Sequence, residues 1–248
     1  MVDDLVERNE LDKLDGLFVH VDVSRYQPAE AMDGYDFVIV NVEDPTLAQK
    51  IERAEAIPIP WGLYTWVYPG QGSQAVTRAR AAAAPLGEPP LGYWLDYEEA
   101  GVTPRDLGAA FGAAADASIL ERLGVYTYLY LIGSVSDFLA GRPLWLAYYP
   151  GANDGTYPAG QEGAALAHGA VLWQYTSGAN AAVGLDENVV IDETWYRAWT
   201  APAGPAPTPP APAPAPPRLD VEMEALVGPL TGQLGNVVLV MAGQKCVA

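Results

Sequence analysis

The chain has 248 residues, half of them hydrophobic, and its 31 acidic side chains outnumber 13 Lys and Arg for a formal net charge of −18. That balance excludes a nucleic-acid partner, which needs Lys and Arg to neutralise phosphates, and excludes adsorption to an anionic surface by charge alone. A single cysteine, Cys246, rules out an internal disulfide, and no stretch reaches the roughly 18 apolar residues of a membrane span.

Residues 1–16, "MVDDLVERNELDKLDG", are acidic and mixed, with no basic segment leading into an apolar run, so they read as an N-terminal extension and not as a signal peptide. From residue 17, short apolar strands recur. In chain order they are "LFVHVDV" (17–23), "DFVIVNV" (36–42), "WGLYTWV" (61–67), "GYWLDYE" (92–98), "GVYTYLY" (124–130), "LWLAYY" (144–149), "VLWQYT" (171–176) and "ENVVID" (187–192). Several are near-continuous apolar runs, as strands covered on both faces require. Helical patterns separate the early ones: "PTLAQKIERAEA", the Ala-rich "SQAVTRARAAAA", and "TPRDLGAAFGAAADASILERL" with its Thr-Pro start signal. Later connections are short and Gly-rich, with at most a stub helix at "SVSDFLA". Residues 200–217, "TAPAGPAPTPPAPAPAPP", read as an extended Pro/Ala linker, and residues 218–248 are too short to bury a core alone. The fold class expected for 17–199 is α/β, an irregular TIM-like (β/α) barrel of eight strands with reduced helices. A doubly wound open sheet is the alternative, and no Gly-rich phosphate loop supports it.

The polar residues fall at strand ends. Asp22 lies near the end of the first strand, Asp96 and Glu98 end the fourth, and Asp192 ends the eighth. In a parallel barrel these ends form the active-site face, and the first and eighth strands are neighbours. Asp96 and Glu98, two apart in a strand, share a face, while Glu99 points the other way as a structural or solvated group. Aromatic residues lie on the same strands: Tyr64, Trp66, Tyr126, Tyr128, Tyr148, Tyr149, Trp173 and Tyr175. Flat rings with polar edges suit carbohydrate faces. The plainer readings are solvated strand termini for each acid and core filling for each ring. Together, carboxylates converging in an aromatic-lined mouth are what glycoside hydrolysis needs: one acid protonates the leaving oxygen while anionic neighbours stabilise positive charge at the anomeric carbon. No cofactor or metal is called for.

With these elements placed, the chain resembles the family 25 glycoside hydrolases, the Chalaropsis-type lysozymes of many phage endolysins. "VDVSRYQ" is similar to that family's D-V-S-x-(W/Y)-Q strand, "FVIVNVED" to its F-V-I-x-K-A-T-E segment, "WGLYTWVYPG" to G-x-Y-H-F and "YWLDYEE" to W-L-D-x-E. "GVYTY", "LWLAYY" and "VLWQYTSGANAAVGLDENVVID" resemble its later strands in the right order. The resemblance covers 17–199 and implies cleavage of the β-1,4 bond between N-acetylmuramic acid and N-acetylglucosamine in bacterial peptidoglycan. It implies Glu98 as acid/base, Asp96 as its partner, and Asp22 and Asp192 as the other acids. Asn41, Asp44, Pro45 and Thr65 depart from the family pattern, as do Arg25 and Tyr26 in the first motif. A chitinase-type barrel also ends its fourth strand in D-x-E, but has a further Asp where this chain has Trp94.

The expected mechanism keeps Glu98 protonated beside aromatics and Asp96, while the substrate's 2-acetamido oxygen attacks the anomeric carbon with retention. An Asp nucleophile or an inverting, water-activating Asp is the rival. The expected setting is the bacterial wall, reached by a phage protein through holin pores or within a virion. The alternative function is a wall-binding or structural virion module on the same barrel. Residues 218–248 are expected to serve assembly or anchoring, through self-association or contact with a virion protein.

Overall fold

The protein is analysed as a computed structural model that describes residues 18–139, 141–150, 157–177 and 185–201, with the backbone of 239–241 and 244–246. Eight strands close a barrel in chain order: β1 (Val19–Val23), β2 (Phe37–Asn41), β3 (Trp61–Trp66), β4 (Tyr93–Asp96), β5 (Leu123–Tyr128), β6 (Leu144–Ala147), β7 (Leu172–Gln174) and β8 (Asp186–Val190). The expected α/β barrel is thus what the chain forms. Strands β1 to β7 run parallel, but β8 is antiparallel to both β7 and β1. The reason is local. A parallel return takes a crossover of about a dozen residues or more, usually through a helix, and the 175–185 connection is shorter than that.

Alternate side chains divide the strands into two layers. Phe37, Ile39, Trp94, Tyr126, Trp145 and Leu172 point inward and fill the barrel. Val21, Val38, Val40, Leu63, Leu95 and Val125 point outward, under the helices α1 (Leu47–Ala56), α2 (Gly72–Ala83) and α3 (Pro104–Asp116). Gly124 lies beside Trp94 in the interior, where a Cβ would come within 2.5 Å of the Trp94 ring, so only glycine leaves the indole its place. Burial of such side chains contributes about 1.5–3 kcal/mol each, which is why a continuous apolar strand is stable here and nowhere on the surface.

Helix α3 starts where side chains supply the missing acceptors. Thr103 and Asp106 form a capping box at α3, and Asp106 also accepts from the Gly70 amide, tying the start of α3 to the turn before α2. Beyond α3 the helices shrink to α4 (Ile132–Val135) and α5 (Gly163–Ala167). A last helix, α6 (Glu193–Thr200), follows β8; Trp195 and Trp199 bring their rings 5.7 and 6.0 Å from Trp94 and cover that end of the interior. Arg122 stacks 5.0 Å over Trp199.

The chain divides into two units, Met1–Pro202 and Ala203–Ala248. In the second, β9 (Leu239–Met241) and β10 (Gln244–Cys246) pair as an antiparallel hairpin. The 1–16 extension, the Pro/Ala stretch beyond Ala201 and the rest of 218–248 lie outside the described residues. No described helix is long and apolar enough to cross a membrane.

Candidate active site

The inward layer changes character at the end of the barrel where β1 to β7 finish. Asp22, Asp96, Glu98 and Asp186 line one pocket there, with Tyr64, Trp66, Tyr126 and Trp145. Strand register explains the grouping. Trp66 is level with Asp96, Asp96 with Tyr126, and Tyr126 with Trp145, so one row of inward positions alternates rings and acid. Across the antiparallel β1–β8 pair, Asp22 stands directly opposite Asp186. Directly opposed residues project to the same face with Cβ atoms about 4.5–5.5 Å apart, so these carboxylates are forced together.

Burial and mutual repulsion both act on the acids. Asp96 is 3% exposed, and one of its carboxyl oxygens has no hydrogen-bond partner among the described residues. Desolvation, then the charges of Glu98, Asp22 and Glu99, push its pKa well above the usual carboxylate range. Asp22 is raised for the same reasons, burial first and then Asp186, although a hydrogen bond from Asn188 works the other way. Burial also raises Glu98, opposed by hydrogen bonds from the Tyr128 and Tyr126 hydroxyls. The Tyr126 hydroxyl lies 2.6 Å from Gln174 Oε1. A hydroxyl has one proton, so Tyr126 serves either Gln174 or Glu98 at any moment. Crowded, buried carboxyl groups whose pKa values are all raised hold their protons to higher pH than free ones do, which is the property a proton donor needs.

Asn188 organises the other side. Its Oδ1 accepts from the Trp145 indole at 2.7 Å, which fixes the amide so that Nδ2 donates to Asp22 Oδ1 at 2.9 Å and to the Asp186 carbonyl at 2.9 Å. Trp145, Asn188 and Asp22 are buried. Beneath them His20, fully buried and stacked 4.1 Å from Phe37, has its pKa pushed down by desolvation and stands as a neutral ring.

The structure brings Asp22, Asp96, Glu98, Tyr64, Trp66 and Tyr126 together, as the sequence predicts. Tyr128 adjoins them through Glu98. It does not bring Asp192 there. That residue is exposed and caps α6, its carboxylate accepting from the Trp195 amide at 2.9 Å. Because β8 runs backwards, its first residue and not its last reaches the mouth, and Asp186 takes the position expected of Asp192. Tyr148, Trp173 and Tyr175 also fall elsewhere. They belong to an outer cluster, where the Trp173 indole donates to the Tyr148 carbonyl at 2.8 Å and the Tyr175 hydroxyl donates to Glu187 at 3.1 Å. Their positions have the wrong parity, since Leu172 and Gln174 are the inward residues of β7. Trp145, inward on β6, is the ring the sequence reading passed over; its level with Tyr126 is the signal that finds it. Glu99 is exposed, in the bend beyond β4.

Among the described residues no group of His, Cys, Asp or Glu is arranged to hold a metal ion. At the level of sequence, no family model and no curated protein matches. The fold does match solved structures. A glycosyl hydrolase 25 of Streptococcus pneumoniae, described as a virulence factor participating in host cell invasion, superposes with a TM-score of 0.55 at 20% identity, covering 74% of this chain and 90% of that one. The chain has the family 25 glycosyl hydrolase fold. The Clostridium perfringens spore cortex lytic enzyme SleM matches at TM-score 0.52 and 17% identity over 70% of this chain and 67% of its own. The CTP1L endolysin matches at 0.52 and 16% over 73% and 68%. Of the departures at residues 41–45, Asn41 is buried, its Oδ1 accepting from the Glu43 amide at 2.7 Å and its side chain hydrogen-bonding Tyr64, Asp44 forms a fully buried ion pair with Lys50, and Pro45 is exposed.

Proposed function

We propose that the chain is a peptidoglycan hydrolase, an N-acetylmuramidase that cleaves the β-1,4 bond between N-acetylmuramic acid and N-acetylglucosamine. The observation that carries this is the acid set itself: Glu98 beside Asp96, with the Asp22–Asp186 pair opposite, in an aromatic-lined mouth of this fold. A spore cortex lytic enzyme and an endolysin among the structural neighbours support the same substrate class.

In this reading Glu98 gives its proton to the leaving glycosidic oxygen. The substrate's own acetamido oxygen attacks the anomeric carbon, closing a cyclic intermediate, and Asp96 orients the acetamide N–H and stabilises its developing charge. Glu98, now a carboxylate, takes a proton from water as that water opens the ring, so configuration is retained and the acid is regenerated. Asp22 and Asp186 supply the negative field that favours positive charge at the anomeric carbon. The fourth acid is therefore Asp186 and not Asp192. A glycan lacking the 2-acetamido group tests the route. Wild-type protein should leave it intact, and efficient cleavage would replace the acetamido oxygen with a protein nucleophile.

The proposed place of action is the bacterial wall, as a phage endolysin or virion-associated lysin. Residues 200–217 would act as a spacer and 218–248 as an assembly or anchoring element.

A further inference from the structure

The mouth has a direction. In a closed eight-stranded barrel β1 and β5 lie diametrically opposite. Each is followed by a rim turn that carries a tyrosine in solvent: Tyr26 after β1 is 82% exposed and Tyr130 after β5 is 76% exposed. No other aromatic side chain among the described residues is so exposed. Exposed tyrosines are common, but these two are placed and braced. Tyr130 stacks parallel on Tyr128, with centroids 5.3 Å apart at 15°, and Tyr128 in turn hydrogen-bonds Glu98. The pair makes a ladder of rings from the proton donor outward. On the opposite rim, the Gln27 side chain accepts from the Ser24 amide at 2.8 Å, and the buried Lys50 ammonium donates to the Ser24 carbonyl, so the turn bearing Tyr26 is pinned.

The β2–β3 side is built differently. There the Tyr68 hydroxyl donates to Glu43 at 2.9 Å, while Arg78 pairs with the same carboxylate at 3.2 Å and donates to the Trp66 carbonyl. Those groups are spent on one another and form a wall beside Trp66. A chain of sugars meets bonded side chains in that direction, and along the β1–β5 diameter it meets two solvent-exposed rings, Tyr26 with Arg25 6.0 Å from its centroid and Tyr130 backed on one face by Tyr128.

We propose that the glycan strand crosses the mouth along the β1–β5 diameter, with Tyr26 and Tyr130 as the sugar-stacking rings at its two ends. This rests on the hydrolase reading for the identity of the ligand. Eight strands about 4.8 Å apart and tilted about 36° close a barrel about 15 Å across, a span longer than one disaccharide. The scissile bond therefore sits over the acids with sugars held on both sides, which makes the cut internal to the strand and not at its end.

The test is binding, read by calorimetry in full-length Glu98→Gln protein, with glycan strands prepared from purified peptidoglycan and with the disaccharide alone. Tyr26→Ala and Tyr130→Ala should each weaken the long strands about threefold to tenfold, the range a lost ring contact gives. Tyr26→Phe and Tyr130→Phe, which keep the ring, should bind as the parent does. All should bind the disaccharide alike. Unchanged affinity for long strands, a loss confined to one of the two tyrosines, or an equal loss for the disaccharide would each overturn the path. Because binding is read in a protein with its proton donor removed, the result is separate from the hydrolase reading, which fails if wild-type protein releases no new reducing ends at N-acetylmuramic acid from wall material.

Discussion

Replacing Asp96 with Asn should stabilise the fold while crippling turnover. Asp96 is buried, one of its oxygens is unpartnered among the described residues, and Glu98 and Asp22 are its charged neighbours. Carboxylates two residues apart on extended chain stand about 7 Å apart, and at an effective dielectric constant of about 20 their repulsion is about 2 kcal/mol. The amide is nearly isosteric and can donate to either neighbour, so little is lost in exchange, and the net gain at neutral pH is about 1–2 kcal/mol. For a domain of this size that raises Tm by about 3–6 °C. The pH dependence carries the sign. A carboxyl whose folded pKa lies above its unfolded value keeps its proton longer in the folded state, so its contribution to stability falls as pH rises from the unfolded pKa through the raised one. The advantage of Asp96→Asn should therefore vanish below about pH 3, where the acid is neutral in both states, and grow as pH rises through the raised pKa. Thermal melts of both proteins across that range, followed by circular dichroism, measure it. A variant that melts below wild type at pH 7, or an advantage equally large at about pH 3, would refute the view of Asp96 as a strained acid kept for catalysis.

Glu98→Gln should leave the melting curve near wild type and lower wall-clearing rates by about 10²–10⁴, the usual loss for a general acid; a variant retaining more than about a tenth of the rate removes Glu98 from that role. Asn188→Leu should deprive Asp22 of its donor and the Trp145 indole of its acceptor, so the acid limb of the pH–rate profile should move to higher pH and the fold should lose about 1–3 kcal/mol. The wild-type profile itself should be a bell, its upper limb reporting loss of the Glu98 proton above the range of a free glutamate, and a rate flat from about pH 5 to 9 would contradict a carboxylic acid donor. A chain ending at Thr200 should keep its activity on soluble glycan and lose self-association or co-purifying partners, measured by light scattering; identical oligomeric state and wall affinity would leave 218–248 without that role.

Strand existence and order were legible because each of the eight strands is a short apolar run with its own turn signals. Period-two parity then put Asp22, Tyr64, Trp66, Asp96, Glu98 and Tyr126 on one face. Parity was not enough in the last third. "LDENVVID" offers an acid at each end, and the choice between Asp186 and Asp192 depends on the direction of β8, which hydrophobic pattern does not encode. Connection length did encode it, since 175–185 is short for a crossover. Tyr148, Trp173 and Tyr175 were grouped by residue type where parity alone would have separated them from Trp145 and Gln174. Helix α6 was hidden because "DETWYRAWT" is both a strand-like aromatic run and a capped helix, and only its packing of Trp195 and Trp199 against Trp94 decides between them.

The central claim is that the four acids at the barrel mouth cut glycan strands at N-acetylmuramic acid. Purified peptidoglycan digested with the full-length protein, followed by mass spectrometry of borohydride-reduced fragments, reads the cut directly. The account requires new reducing ends at N-acetylmuramic acid, absent with Glu98→Gln. Reducing ends at N-acetylglucosamine, peptide-only fragments, or no release from walls that still bind the protein would contradict it.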